Sequence, residues 1–331
     1  MIIPTKNSKE TIKLANEENK MKNNKILVTG GCGFIGTNLV KYLAENTNWE
    51  IIILDNLSSG KKEYIENISD TKINLIQGDI RNKKDVKKAI SDCDYVVNLA
   101  AQVGVIPSIK NPLLDMDVNV KGTINLLEES VKNNVKRFVQ ASSAAPLGKQ
   151  EMPLNETKIP RPLSPYGASK LAGEGYCSAF SGSYNLSTVV LRFSNVYGIY
   201  SDMKGSVIPL FIRQILDKKT LTIYGDGKQT RDFIYVSDIC QGIFLGLTQD
   251  LNKSSLFQLG TGQETSIKKL VEYLKEIFSK DISFDYATQR EGEIYQNYTS
   301  IEKAKKELGF KPEISLKKGL EKTIEWFKDY Y

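Results

Sequence analysis

Two short stretches of this chain carry residue types and spacings suited to chemistry. The first is Thr29-Gly-Gly-Cys-Gly-Phe-Ile-Gly36. Gly31, Gly33 and Gly36 satisfy G-x-G-x-x-G, and Gly30, Gly33 and Gly36 satisfy G-x-x-G-x-x-G. Glycines in such a turn let a pyrophosphate reach backbone amides at a helix start, where the helix dipole favours an anion. Phe34 and Ile35 would open that helix. Asp55 follows about 20 residues beyond the last glycine, at the end of a second apolar run. A carboxylate there accepts bonds from both ribose hydroxyls and repels a 2′-phosphate, which predicts NAD over NADP. Asn56 stands beside it, and Lys61 and Lys62 lie near enough to soften that preference. Asp79 and Ile80, after a third apolar run, are placed to meet an adenine. Ala100 and Ala101, after a fourth, are small enough for close approach of the cofactor.

The second stretch is Ser164-Pro-Tyr-Gly-Ala-Ser-Lys170. Ser164 can cap a helix and Pro165 suits its first turn. Tyr166 and Lys170 then share one helical face. A phenol ionises near pH 10 when unperturbed. A neighbouring ammonium and a positive nicotinamide favour the phenolate. A fall to about pH 7 corresponds to about 4 kcal/mol. Tyr-x-x-x-Lys alone is common in helices. Its place one strand after Ser142-Ser143 makes it specific. A hydroxyl from that pair can hold a substrate oxygen against Tyr166, with Ser143 ahead of Ser142, although serines also serve plain turn chemistry.

The elements that must position these groups follow from apolar patterning. Lys25–Thr29, Glu50–Leu54, Ile73–Gln77, Tyr95–Leu99, Arg137–Ala141 and Ser187–Arg192 read as strands. Helices alternate with them at Phe34–Ala44, Lys83–Ser91, Asp117–Asn133 and Pro165–Ser181. Near-continuous apolar strands alternating with helices predict an α/β fold: a doubly wound, parallel, Rossmann-like sheet, binding ligands at the strands' carboxyl ends. Residues 1–24 read as a loose polar extension carrying a short helix near 11–19. Residues 25–192 form the expected cofactor domain, to which 231–260 returns. Segments 193–230 and 261–331 form a smaller C-terminal α/β lobe for substrate.

Composition removes other classes. The chain has 331 residues and no histidine, so histidine general acids, Ser-His triads and histidine metal sites are excluded. Its four cysteines form no C-x-x-C pair, which leaves zinc and redox motifs unsupported and predicts buried, reduced thiols and a cytoplasmic protein. A net charge of +6 is spread over lysine-rich helices, without the interleaved aromatics of a nucleic-acid surface. No apolar run is long enough for a membrane span or a secretory signal.

With these residues in place, the chain resembles the extended short-chain dehydrogenase/reductase family, in its nucleotide-sugar epimerase/dehydratase branch. The likeness runs from Lys25 to the end. It rests on Gly30–Gly36, Asn98–Ala101, Ser142-Ser143, Tyr166–Lys170, Leu191–Gly198, Leu221–Gly227 and Arg231–Asp238. It implies NAD-dependent 4-epimerisation of a UDP-sugar through a transient 4-keto sugar, with Tyr166 as base and Ser143 orienting the oxygen. The resemblance implies that Asn195 contacts the sugar or diphosphate, that Arg231 and Arg290 clamp the diphosphate, and that Leu221 and Tyr224 lie along the nucleobase. Asn297 falls where pocket size is set. Related dehydratases carry an Asp-Glu pair where this chain has Ala144-Ala145, which argues against dehydration. Asn195 stands where glucuronate epimerases tend to have Thr, tilting the reading toward a neutral or N-acetylated hexose. Family likeness also implies a homodimer, through the helices near Asp117–Asn133 and Pro165–Ser181.

Overall fold

The computed structural model describes residues 23–68, 70–289 and 294–330. Most of the expected N-terminal extension, its short helix, and Arg290 lie outside the described residues. Six strands open the fold: β1 (Lys25–Thr29), β2 (Glu50–Asp55), β3 (Ile73–Gln77), β4 (Tyr95–Asn98), β5 (Arg137–Ser143) and β6 (Thr188–Phe193). After them come β7 (Asn195–Tyr197), β8 (Leu221–Tyr224), β9 (Thr230–Arg231), β10 (Phe233–Tyr235), β11 (Ser254–Leu259), β12 (Thr265–Ser266) and β13 (Phe284–Ala287).

The main sheet has seven strands in the order β11-β6-β5-β4-β1-β2-β3. Every pairing in it is parallel. Strand order reverses between β1 and β4, the crevice where such sheets bind ligands. Both sheet faces are covered. One apolar cluster carries alternate side chains of the central strands, such as Ile26, Val28, Ile51 and Ile53. The opposite cluster carries their neighbours Leu27, Ile52 and Leu54. This is the period-two alternation of a strand with two buried faces. The first cluster continues without a break into Phe310 and Phe327, so the later chain packs on the same core.

Two helices differ from the sequence reading. The helix expected from Asp117 has a forerunner at Pro112–Met116, whose Asn111 side chain accepts a bond from the Leu114 amide. It continues through a wide turn of π type, Asp117–Lys121, into Gly122–Lys132. The Asn111-Pro112 pair is a cap and first-turn signal that the apolar pattern obscured. The helix carrying Tyr166 runs Pro165–Tyr184 and ends on Asn185 in the left-handed conformation. All four cysteines are buried and unpaired, as expected. Among the described residues no helix is long and apolar enough to cross a membrane.

Candidate active site

The glycine turn joins β1 to the Phe34–Asn46 helix. Gly30 has φ +68°, and a Cβ there would sit 2.8 Å from the Ala100 nitrogen. At Gly36 a Cβ would fall 2.1 Å from the Gly30 oxygen. These two glycines are therefore demanded by the turn itself and by its contact with the end of β4. Gly33 differs: a Cβ would meet only one atom, at 3.3 Å. Internal packing does not explain that glycine, whereas a phosphate over the turn would. The following helix has no side-chain cap and no acidic residue in its first turn, so no side chain competes for its amides.

Asp55 is buried at the end of β2. Its carboxylate accepts from the Cys32 amide at 2.9 Å and the Leu57 amide at 2.8 Å. Burial raises its pKa, and those two bonds oppose the rise. A carboxylate offers about four acceptor positions, so two remain for ribose hydroxyls. Lys61 is tied to Asp202 at 2.6 Å and Lys62 to Glu66 at 2.8 Å, so neither ammonium is turned to the ribose as the sequence allowed. Asp79 binds Arg81 at 2.7 Å and takes a bond from Asn56, joining the ends of β2 and β3. The Arg81 guanidinium holds the Asp79 carboxyl well below the usual carboxylate range. The Ile80 side chain is buried in the core, where a Cβ on Gly122 would press on it. Little of that side chain is exposed, so the proposed adenine contact falls to Asp79 and the Ile80 backbone. The Ala100 amide donates to Thr29 Oγ1, and Ala101 is half-buried in the loop that follows. Phe34 and Ile35 are half-buried at the helix start. The residues present therefore fit a dinucleotide.

Ser143, Tyr166 and Lys170 come together at the carboxyl end of β5. Ser164 caps their helix by accepting from the Gly167 amide at 3.1 Å. Gly167 packs against the turn after Ser143, where a Cβ would lie 2.7 Å from the Ala145 oxygen. This close approach brings the phenol to the serine, and sequence reasoning passed it over. Ser143 Oγ accepts from the Ala145 amide at 3.1 Å, leaving its proton for another partner. That partner is the Tyr166 phenol, whose pKa this bond lowers. Burial outweighs it and pushes the phenol up, so the fall expected from the sequence is not a property of the chain alone. Lys170 Nζ sits 5.9 Å from the Tyr166 ring centre and donates to the Ala141 carbonyl. Burial lowers its pKa to about 8, opposed by Asp115 and Glu174.

Ser142 does not join this group. Its hydroxyl donates 2.6 Å to Glu174, which also binds Arg192. Adjacent strand residues face opposite ways, so Ser142 points into the protein where Ser143 points out. Its expected substrate role is corrected accordingly. Asn119, on the π-type turn, was also missed. Its side chain links the Gln102 backbone, Asp115 and Ser169, fastening the loop after β4 to the Tyr166 helix.

A second cluster lies where β6 runs into β7. Ser143 pairs in register with Phe193, two residues before Asn195. Asn195, Tyr224 and Arg231 line one cavity of about 240 Å³. That is several times the volume of one water, with polar and aromatic side chains converging on it. Its lining does not include Ser143, Tyr166 or Lys170. Arg231 donates to the Thr230 carbonyl at 2.8 Å. Leu221 is wholly buried in the core, with Ile223 beside it on the same strand face. Thr222, Ile223 and Tyr224 line the cavity and Leu221 does not, so the Leu221 side chain is not placed for the expected nucleobase contact. Asn297 is half-buried, and its buried Oδ1 has no hydrogen-bond partner among the described residues.

Comparison with known proteins places this geometry. The sequence profile of the NAD dependent epimerase/dehydratase family matches residues 26–260. A putative UDP-glucose 4-epimerase of Methanocaldococcus jannaschii is 42% identical over 309 residues, covering 92% of this chain and 98% of that protein. The UDP-N-acetylglucosamine 4-epimerase of Methanobrevibacter ruminantium, solved with UDP-N-acetylmuramic acid, superposes with a TM-score of 0.89 at 35% identity. It covers 94% of this chain and all of its own. The Thermus thermophilus UDP-glucose 4-epimerase, solved with NAD, gives 0.84 at 32% identity, with 92% and 99% coverage.

Proposed function

The chain belongs to the NAD-dependent epimerase/dehydratase family, as an NAD-dependent enzyme of the epimerase type, and on that premise we propose that it inverts C4 of a UDP-sugar. The favoured substrates are UDP-glucose/galactose or a UDP-N-acetylhexosamine. The observation that carries this reading is the meeting of Ser143, Tyr166 and Lys170 on a turn continued by Ala144-Ala145 rather than by carboxylates. That set can move a proton at a sugar hydroxyl but has no acid there to expel water.

NAD, held by the glycine turn and Asp55, supplies hydride exchange with the sugar carbon. Ser143, fixed by the Ala145 amide, orients the 4-oxygen. Tyr166 takes the hydroxyl proton and returns it once the other face of the sugar is presented. Burial alone works against the phenolate, so Lys170 must keep its proton beside it. Asn195, Tyr224 and Arg231 hold the nucleotide end in the cavity, and Asn297 bounds the sugar. Segments 193–230 and 261–331 serve as the substrate lobe. A UDP-glucuronate epimerase or decarboxylase shares the first oxidation, and the runner-up in another class is a non-catalytic NAD-binding protein.

Proton NMR of the enzyme with UDP-glucose, UDP-N-acetylglucosamine and UDP-glucuronate, without reductant, tests the reaction. A galacto-configured anomeric signal with either of the first two is expected. Carbon dioxide loss or a deoxy-methyl signal ends the 4-epimerase reading, and no turnover in any tube revives the non-catalytic one.

We also propose a homodimer. Ile106 and Ile109 on the helix Val105–Lys110, Leu113 and Met116 on the helix Pro112–Met116, and Tyr176 on the Tyr166 helix are exposed apolar side chains of three helices packed on one another. Exposed apolar surface gathered in this way marks an association site. Light scattering should give twice the 37.1 kDa chain mass, and Leu113→Asp should halve it. A wild-type monomer rejects the proposal.

A further inference from the structure

Lys204 belongs to none of the sequence patterns above, yet it lines the same cavity as Asn195, Tyr224 and Arg231. Its Nζ donates 2.8 Å to the carbonyl of Val196, the residue after Asn195. The same ammonium lies 5.1 Å from the ring centre of Phe34, the first residue of the helix after the glycine turn. Lys204 therefore stands at the junction of the cofactor turn and the substrate cavity. Among the described residues no carboxylate pairs with it: its contacts are one carbonyl and one ring. Burial lowers its pKa to about 8, and no neighbouring charge is felt in the other direction. An ammonium has three donors, and one carbonyl occupies one. Lys204 as a whole is half-buried, between exposed Met203 and Gly205, yet its ammonium is held inward on the Val196 carbonyl without a counter-ion, which is costly when water would take it. The arrangement is repaid when an anion enters the cavity.

We infer that Lys204 receives the substrate's diphosphate, as a second cation beside Arg231 and the neutral Asn195 amide. The inference rests on the nucleotide-sugar reading above and goes beyond it by naming the residue that reads the phosphates. An ammonium suits this task as a compact point charge on a flexible stem, able to follow a diphosphate while the sugar turns.

Titration of the NAD-containing chain with UDP and dTDP, and ligand-observed NMR with uridine, tests it. Lys204→Gln should weaken the better-bound diphosphate by about 10- to 100-fold, the range for hydrogen bonds to charged groups. Uridine affinity should stay within about twofold, because uridine carries no phosphate. Lys204→Arg should restore diphosphate binding to within several-fold of wild type, which also guards against a misfolded Gln variant. Equal loss of UDP and uridine, or failure of Arg to rescue, makes Lys204 a packing residue and overturns the inference. So does a Lys204→Gln defect seen with UDP-glucuronate but absent with UDP, which would place the cation on a sugar carboxylate. If wild type binds neither diphosphate, the nucleotide-sugar reading falls first and the inference falls with it.

Discussion

Tyr166→Phe is expected to lower kcat by about 10³-fold, within the 10²–10⁴ range of a positioned acid–base group. The ring is retained, so the helix still packs where Gly167 meets the Ala145 carbonyl. What is lost is the hydroxyl that shares a bond with Ser143 and to which the proposed mechanism gives the proton. The stability change should be small, about 1 kcal/mol, the net worth of one neutral hydrogen bond. NAD content and UDP affinity should be unchanged, because the turn at Gly30–Gly36 and the Asn195 cavity lie elsewhere. Steady-state kinetics on the substrate found by NMR, with NAD content read by absorbance after denaturation, separates the two effects. Activity within tenfold of wild type would remove Tyr166 from its proposed role. Ser143→Ala should show a weaker effect in the same direction, since the Ala145 amide bond only orients that hydroxyl.

The parts of this molecule that could be read from its residues are those whose chemistry fixes a spacing. The glycine run, Asp55 at a strand end, and Tyr166 four residues before Lys170 each encode geometry in a short string. Six of the seven parallel strands and their two buried faces were legible because apolar runs alternate with helical patterns, and the seventh only as a return of the later chain to the sheet. The errors came from reading motifs as strings without their strand faces. Leu221 and Tyr224 stand in one motif, yet three residues apart on a strand they face opposite ways. Ser142 and Ser143 are adjacent and therefore divide between core and site. Groups that act through tertiary contact left no local signal. Lys204 sits in a loop and is one lysine of many in the chain, and Asn119 needs a π-type turn to reach Gln102 and Ser169. Glu174 is another. Only its position four residues after Lys170 hinted that it lies on the buried face of the same helix.

Glu174→Ala is expected to destabilise the chain by about 3–5 kcal/mol, the cost of stranding one charge of a buried pair. Glu174 accepts from Arg192 Nε at 2.8 Å and NH2 at 2.6 Å, and from Ser142 at 2.6 Å. The side chains are only 3% and 8% exposed, so solvent cannot take over either partner. Arg192 NH1 already lacks a partner among the described residues, which leaves the guanidinium no alternative acceptor when the carboxylate goes. Removing both charges removes the stranded ion. Glu174→Leu with Arg192→Met should therefore cost less than Glu174→Ala alone, despite carrying two substitutions. Urea unfolding of the NAD-containing protein measures the difference through the midpoint at constant slope. The pair also spans the helix of Tyr166 and the strands β5 and β6, so it fixes how that helix sits over Ser143. Its loss should lower kcat even in protein that remains folded, and the double variant should recover stability more fully than activity. Equal losses below about 1 kcal/mol in single and double variants would show that water reaches the pair and that it does not set the helix's place.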